Sequence, residues 1–182
     1  MLKFVAVFAA LCSMGSLTLA QTAKPRIVEL HPGEEHSSAI VIPAASPLVI
    51  ASIGRDREAN VAFSGRVTLS GDYELDVSED EYYLRMWPDK KSRAALPYWR
   101  DRGAAEEIYI SNGQAFAEAV LSKARLEKLK AEKDPTVRGR VTIIADDYNA
   151  SIECDAANFS ARFVALEKVV RIAAKPRSEQ EC

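Results

Sequence analysis

A phrase that occurs twice constrains this chain more than any other feature. Gly65-Arg66-Val67-Thr68 runs on to Asp72-Tyr73, and Gly139-Arg140-Val141-Thr142 runs on to Asp147-Tyr148. Each copy leads into a second β-rich stretch: Tyr82–Trp87 after the first, Ile152–Cys154 and Phe159–Leu166 after the second. Alternating or β-branched runs separated by turn formers read as strand, turn, strand. A single pair of copies is no solenoid, which needs about three stacked units to stabilise itself.

The spacing between the copies predicts one helix. Ser111 and Gln114 stand as a capping box, the Ser serving one orphan amide and the Gln reaching back to another. Phe116, Val120, Leu121 and Ala124 form an apolar stripe that Leu126 and Leu129 extend, and Asp134-Pro135 stops the helix after Lys133. Such a helix in a small β domain plugs the core. Upstream, Arg26–Leu30, Ala39–Ile42 and Leu48–Ile53 are strand candidates, divided by Pro32-Gly33, Pro43 and Pro47. Val61–Leu69 and the short Glu107–Ile110 complete the set.

From Val61 to Ile172 the order is strand, strand, strand, helix, strand, strand. That is the order of an OB-fold, a five-stranded Greek-key barrel with its helix between the third and fourth strands. The expected class is therefore α+β, mainly β: an OB-like core over residues 61–174, an N-terminal strand extension over 21–60 and a polar tail over 175–182. An antiparallel sheet covered by one helix is the alternative.

The first twenty residues predict export. Lys3 is their only charge, Phe4–Leu11 forms an apolar core, and Thr18-Leu19-Ala20 places small residues before a cleavage point. Ser13, Gly15, Ser16 and Thr18 interrupt the run well short of the ~20 residues that span a bilayer. A cleaved, periplasmic or secreted protein without a membrane anchor is the expectation. The mature chain would keep Cys154 and Cys182, which in an oxidising compartment would pair with each other.

With a net charge of −2 over 182 residues, the chain has no global attraction for nucleic acid, and none is expected as a partner. Motifs for a nucleophile elbow, a zinc-protease helix, a Cys-x-x-Cys pair or a phosphate loop are missing from the sequence. No catalytic residue and no cofactor are assigned. His31 and His36 flank Glu34 and Glu35 and are the metal-ligand candidates, set against an ordinary exposed Pro-Gly turn. They would serve the alternative function, a small metal-dependent hydrolase. The acidic run Asp72, Glu74, Asp76, Glu79, Asp80 and Glu81 lacks EF-hand spacing and reads as the solvated face of a strand.

The segment Tyr82–Arg102 concentrates cations and aromatics, including both tryptophans. Stacking rings beside charge-neutralising side chains are the ingredients of glycan and single-strand sites. Arg85, Trp87, Lys90, Lys91, Arg93, Tyr98, Trp99 and Arg100 are the ligand-binding candidates. The expected function is a non-enzymatic binding or interaction module of the envelope or secreted space. Its partner would be an anionic ligand or an envelope protein, and an inhibitor or structural partner of such a protein is a further alternative.

Overall fold

The computed structural model describes residues 24–30, 38–54, 59–77, 81–132 and 135–176. The predicted export signal, the His31–His36 pair and Cys182 lie outside the described residues.

The chain is mostly β. Its strands are β1 (Arg26–Leu30), β2 (Ser38–Ile42), β3 (Val49–Ile53), β4 (Asn60–Ser64), β5 (Val67–Val77), β6 (Tyr82–Pro88), β7 (Tyr98–Trp99), β8 (Ile108–Ser111), β9 (Pro135–Glu153) and β10 (Ala156–Pro176). Three short helices interrupt them: α1 (Lys90–Arg93), α2 (Gly113–Val120) and α3 (Lys123–Lys130). The strands form a three-stranded sheet, β1-β2-β7, and a seven-stranded sheet, β10-β8-β6-β5-β9-β4-β3. β10 pairs β8 in parallel and β9 in antiparallel fashion, so β5, β6, β8, β10 and β9 each have two partners within that set.

The repeated phrase occupies two neighbouring strands. β5 and β9 run antiparallel, with Ser70 opposite Thr142, Asp72 opposite Arg140 and Tyr73 opposite Gly139. The Ser70 and Thr142 hydroxyls lie 2.9 Å apart, and Arg140 of one copy reaches Asp72 of the other at 3.4 Å. The second copy carries one more residue between its Thr and its Tyr than the first. The structure absorbs it as a bulge: Asp147 is left-handed at φ 49°, and the β9–β10 register shifts between Asn149 and Asp146. A one-residue slip turns every later side chain to the other face. Because of the bulge, Tyr148 points inward as Tyr73 does, and both rings are buried.

Alternation fixes which face is core. Along β5, Val67, Leu69, Tyr73, Leu75 and Val77 are buried, and Thr68, Asp72 and Asp76 face outward. Leu84 and Met86 of β6, Ile108 and Ile110 of β8, and Val137, Val141 and Ile143 of β9 complete the inner surface. Phe116 of α2 stands edge-on to both Tyr73 and Phe163, with ring centres 5.0 and 5.4 Å apart. The N-terminal strands join the same core through Leu30, Ile40, Ile42 and Leu48.

Three expectations are corrected. The single helix from Ser111 is two: Leu121 is extended at ψ 142°, and Ser122 caps α3 by accepting the Arg125 amide at 3.4 Å. Ser is a strong N-cap, and here it outcompetes continuation of the helix. The capping box at Ser111 does not form; Asn112 is the N-cap residue in a left-handed conformation, and Gln114 bonds Glu118 at 2.9 Å. The strand from Val61 is also two, broken at Gly65, whose φ of 114° and 2.9 Å clearance from the Pro47 carbonyl admit no side chain comfortably.

Candidate functional site

The outer face of β6 carries Tyr83, Arg85 and Trp87, because the inner face is taken by Leu84, Met86 and Pro88. Arg85 stands opposite Tyr109 of β8 on one side and Glu74 of β5 on the other. Tyr109 is in turn opposite Ser160 of β10, and Ser160 is opposite Asn149 of β9. Residues opposite each other in a ladder share a face. One transverse row therefore crosses five strands: Glu74, Arg85, Tyr109, Ser160 and Asn149. Tyr83, Trp87 and Tyr109 are 48%, 36% and 43% exposed, so three aromatic rings border Arg85 on a surface that the core does not use.

Electrostatics on this face are largely settled within the protein. Glu74, only 8% exposed, lies between Arg85 and Arg138 and binds both. Arg85 also reaches Asp76 at 3.6 Å, and Thr136 donates to Asp76 at 2.7 Å. The Arg85 guanidinium sits 5.9 Å from the centre of the Trp87 ring, a cation–π distance. Asp72, Glu74 and Asp76 of the acidic run are thus answered by arginines of β6 and β9. At its edge, the Tyr83 phenol is held above its ordinary pKa by its hydrogen bond to Glu81 and the neighbouring negative charge.

The eight candidate residues divide. Arg85 and Trp87 share the outer face of β6, and Gly71 of β5 backs onto the Trp87 carbonyl so closely that a Cβ would fall 2.2 Å from it. Lys90 and Lys91 are exposed on α1, which Asp89 caps by accepting the Ser92 amide at 2.9 Å. That bond, more than the nearby Arg140, holds the Asp89 carboxyl below its usual range. Arg93 is half-buried at the end of α1. Tyr98 and Trp99 belong to the other sheet, opposite Val41 and Ile40. Trp99 is fully buried, which removes it from any ligand surface: a large ring in a β domain fills core before it greets solvent. Arg100 is exposed and paired with Glu29 at 2.8 Å.

Two members of the face were not singled out from the sequence, Tyr83 and Tyr109. Period-two alternation through Leu84 and Met86, and through Ile108 and Ile110, is the signal that turns them outward. Beside Tyr109 a groove of about 390 Å³ is lined by Glu107, Ser151, Glu153, Asn158 and Ser160. A second cleft of about 240 Å³ lies between Tyr82 and α3, with the Lys130 ammonium 5.7 Å from the Tyr82 ring centre.

Among the described residues, no group of three or more His, Cys, Asp or Glu side chains is placed to hold a metal ion, and no helix is long and apolar enough to cross a membrane. Cys154 is exposed at the β9–β10 turn with φ 47°. Its expected partner Cys182 lies outside the described residues.

Comparison with known proteins yields no relative: no family model, no curated protein and no solved structure matches this chain.

Proposed function

We propose that this chain is an exported, non-enzymatic binding module built on an OB-like barrel, and that it binds through the outer face of β6 and β8. The barrel reading is supported by the circuit of pairings β5-β6-β8-β10-β9-β5 and by α2 and α3, which follow the third strand of that circuit and precede the fourth. Barrels of this type use the face of their second and third strands for oligomeric ligands, and β6 and β8 hold those places.

The observation that carries the functional reading is the exposure of Tyr83, Trp87 and Tyr109 around Arg85. Large rings on a strand surface that the core does not need are costly to leave in water unless something covers them. The anionic-ligand half of the expectation is weaker on this geometry. Arg85 and Arg100 already hold carboxylates of the protein, which leaves Lys90 and Lys91 as the exposed cations of the segment with no ion pair among the described residues.

The test is tryptophan emission of the mature protein, titrated with oligosaccharides, anionic polymers and candidate envelope proteins. Trp99 is buried, so a ligand-induced shift or shielding from acrylamide reports Trp87. A saturable change, abolished in Tyr109→Ala and absent from Trp87→Phe, supports the proposal. Binding that survives both substitutions at full strength rejects this face.

A further inference from the structure

We infer that the groove beside Tyr109 is a subsite for an uncharged or amine-bearing saccharide chain that lies across the aromatic face; this rests on the binding-module reading above. The groove, about 390 Å³, is continuous with the face because Tyr109 belongs to both: it stands opposite Arg85 on β6 and opposite Ser160 on β10. Its walls present two carboxyl groups, Glu107 and Glu153, with the hydroxyls of Ser151 and Ser160 and the amide of Asn158. No lysine or arginine lines it.

That set of groups selects by chemistry. A sugar ring offers hydroxyls that both donate and accept, and a carboxylate can accept from two of them at once. The Ser151 hydroxyl already orients Glu153, donating to it at 3.2 Å. Sugar C–H faces stack on flat rings: Tyr109 supplies one at the groove, and Tyr83 and Trp87, two positions to either side of Arg85 on β6, supply two more. A phosphodiester or sulfated chain would meet two like charges in the groove, and it could reach the Arg85 guanidinium only by displacing Glu74 and Asp76. An amine on the sugar would instead find two carboxylates.

Calorimetric titration of the mature protein with a glucosamine hexasaccharide, its N-acetylated counterpart and a sulfated hexasaccharide tests this. The expected result is saturable binding of the first two, none of the third, and a loss of at least about tenfold in glucosamine binding in the double variant Glu107→Gln/Glu153→Gln. Both positions are exposed, so the Gln variants should keep the fold, which a matching thermal melt verifies. Binding of the sulfated chain as tightly as the others, with a shift of Trp87 emission, overturns this inference and leaves the aromatic face standing. Failure of all three sugars while a protein partner shields Trp87 also overturns it. Failure of the sugars and of every partner tried on the face removes both readings.

Discussion

Arg85 holds its guanidinium 5.9 Å from the centre of the Trp87 ring, while the same group binds Glu74 on the neighbouring strand. The two tryptophans of the chain therefore do opposite work. Trp87 is a third exposed on an outer face, whereas Trp99 is sealed in the core opposite Ile40. Trp99→Ala should cost about 3–5 kcal/mol of stability, the usual range for emptying a large buried site. Trp87→Ala should cost less than about 1 kcal/mol and should remove the acrylamide-accessible part of the emission. Urea unfolding followed by circular dichroism measures both, and equal losses would contradict the burial described here.

Glu74 is the pivot of the outer ladder. Its carboxylate is almost buried, yet the arginines it joins keep 37% and 57% of their side chains exposed. Removing it strands no buried cation, because both guanidiniums can rehydrate. Glu74→Ala should therefore cost about 2 kcal/mol, near the value of hydrogen bonds to charged groups, and not the larger penalty of a broken buried pair. It should also free Arg85 and alter Trp87 emission. A loss that leaves Trp87 emission unmoved would mean that Glu74 does not hold Arg85 in place.

The Asp89 carboxyl caps α1 and is held below its ordinary pKa, first by the Ser92 amide and less by Arg140. A depressed carboxyl contributes stability above its unfolded pKa of ~3.9 and loses it as pH falls through the lower folded value. Asn caps nearly as well as Asp. Asp89→Asn should thus melt like the parent protein at low pH and slightly below it at neutral pH, where only the parent has the charge. A gap that stays constant from pH 2 to about pH 7 would show that the charge is not what matters.

How much of this could be read from the sequence depends on how local the cause is. The mostly β character and most of the strands follow from alternation and turn residues, which act within a few positions, whereas α1, β7 and the pairing of the two repeat copies do not. The break at Leu121-Ser122 was missed because Leu121 extends the apolar stripe of a continuous helix as well as it ends a short one. What decides is packing of Leu126 and Leu129 into the core from a second axis, a tertiary fact. The site was half legible. Composition marked Tyr82–Arg102, but only the phase of each strand separates Trp87 from Trp99. The strand part of the acidic run looked solvated because two of its arginine partners, Arg138 and Arg140, lie more than sixty positions away on β9, and the third, Arg85, comes alongside only through the β5–β6 pairing.

The tyrosines of the two repeat copies should respond in opposite directions to loss of their hydroxyls. Tyr148 donates to the Pro97 carbonyl at 2.9 Å inside the core, whereas the Tyr73 hydroxyl is buried with no hydrogen-bond partner. Tyr148→Phe leaves a carbonyl unsatisfied and should cost about 1–2 kcal/mol; Tyr73→Phe removes an unmet donor and should stabilise by about 1 kcal/mol. Burial pushes the Tyr73 phenol up to about 12, against a smaller opposing effect of Arg125, and pushes Tyr148 up as well. A raised folded pKa means that stability is complete below the unfolded value of ~10 and is lost as pH rises through the folded one. The parent should therefore weaken above about pH 10, and Tyr73→Phe should weaken less steeply there. Parallel slopes would place the alkaline sensitivity on other groups.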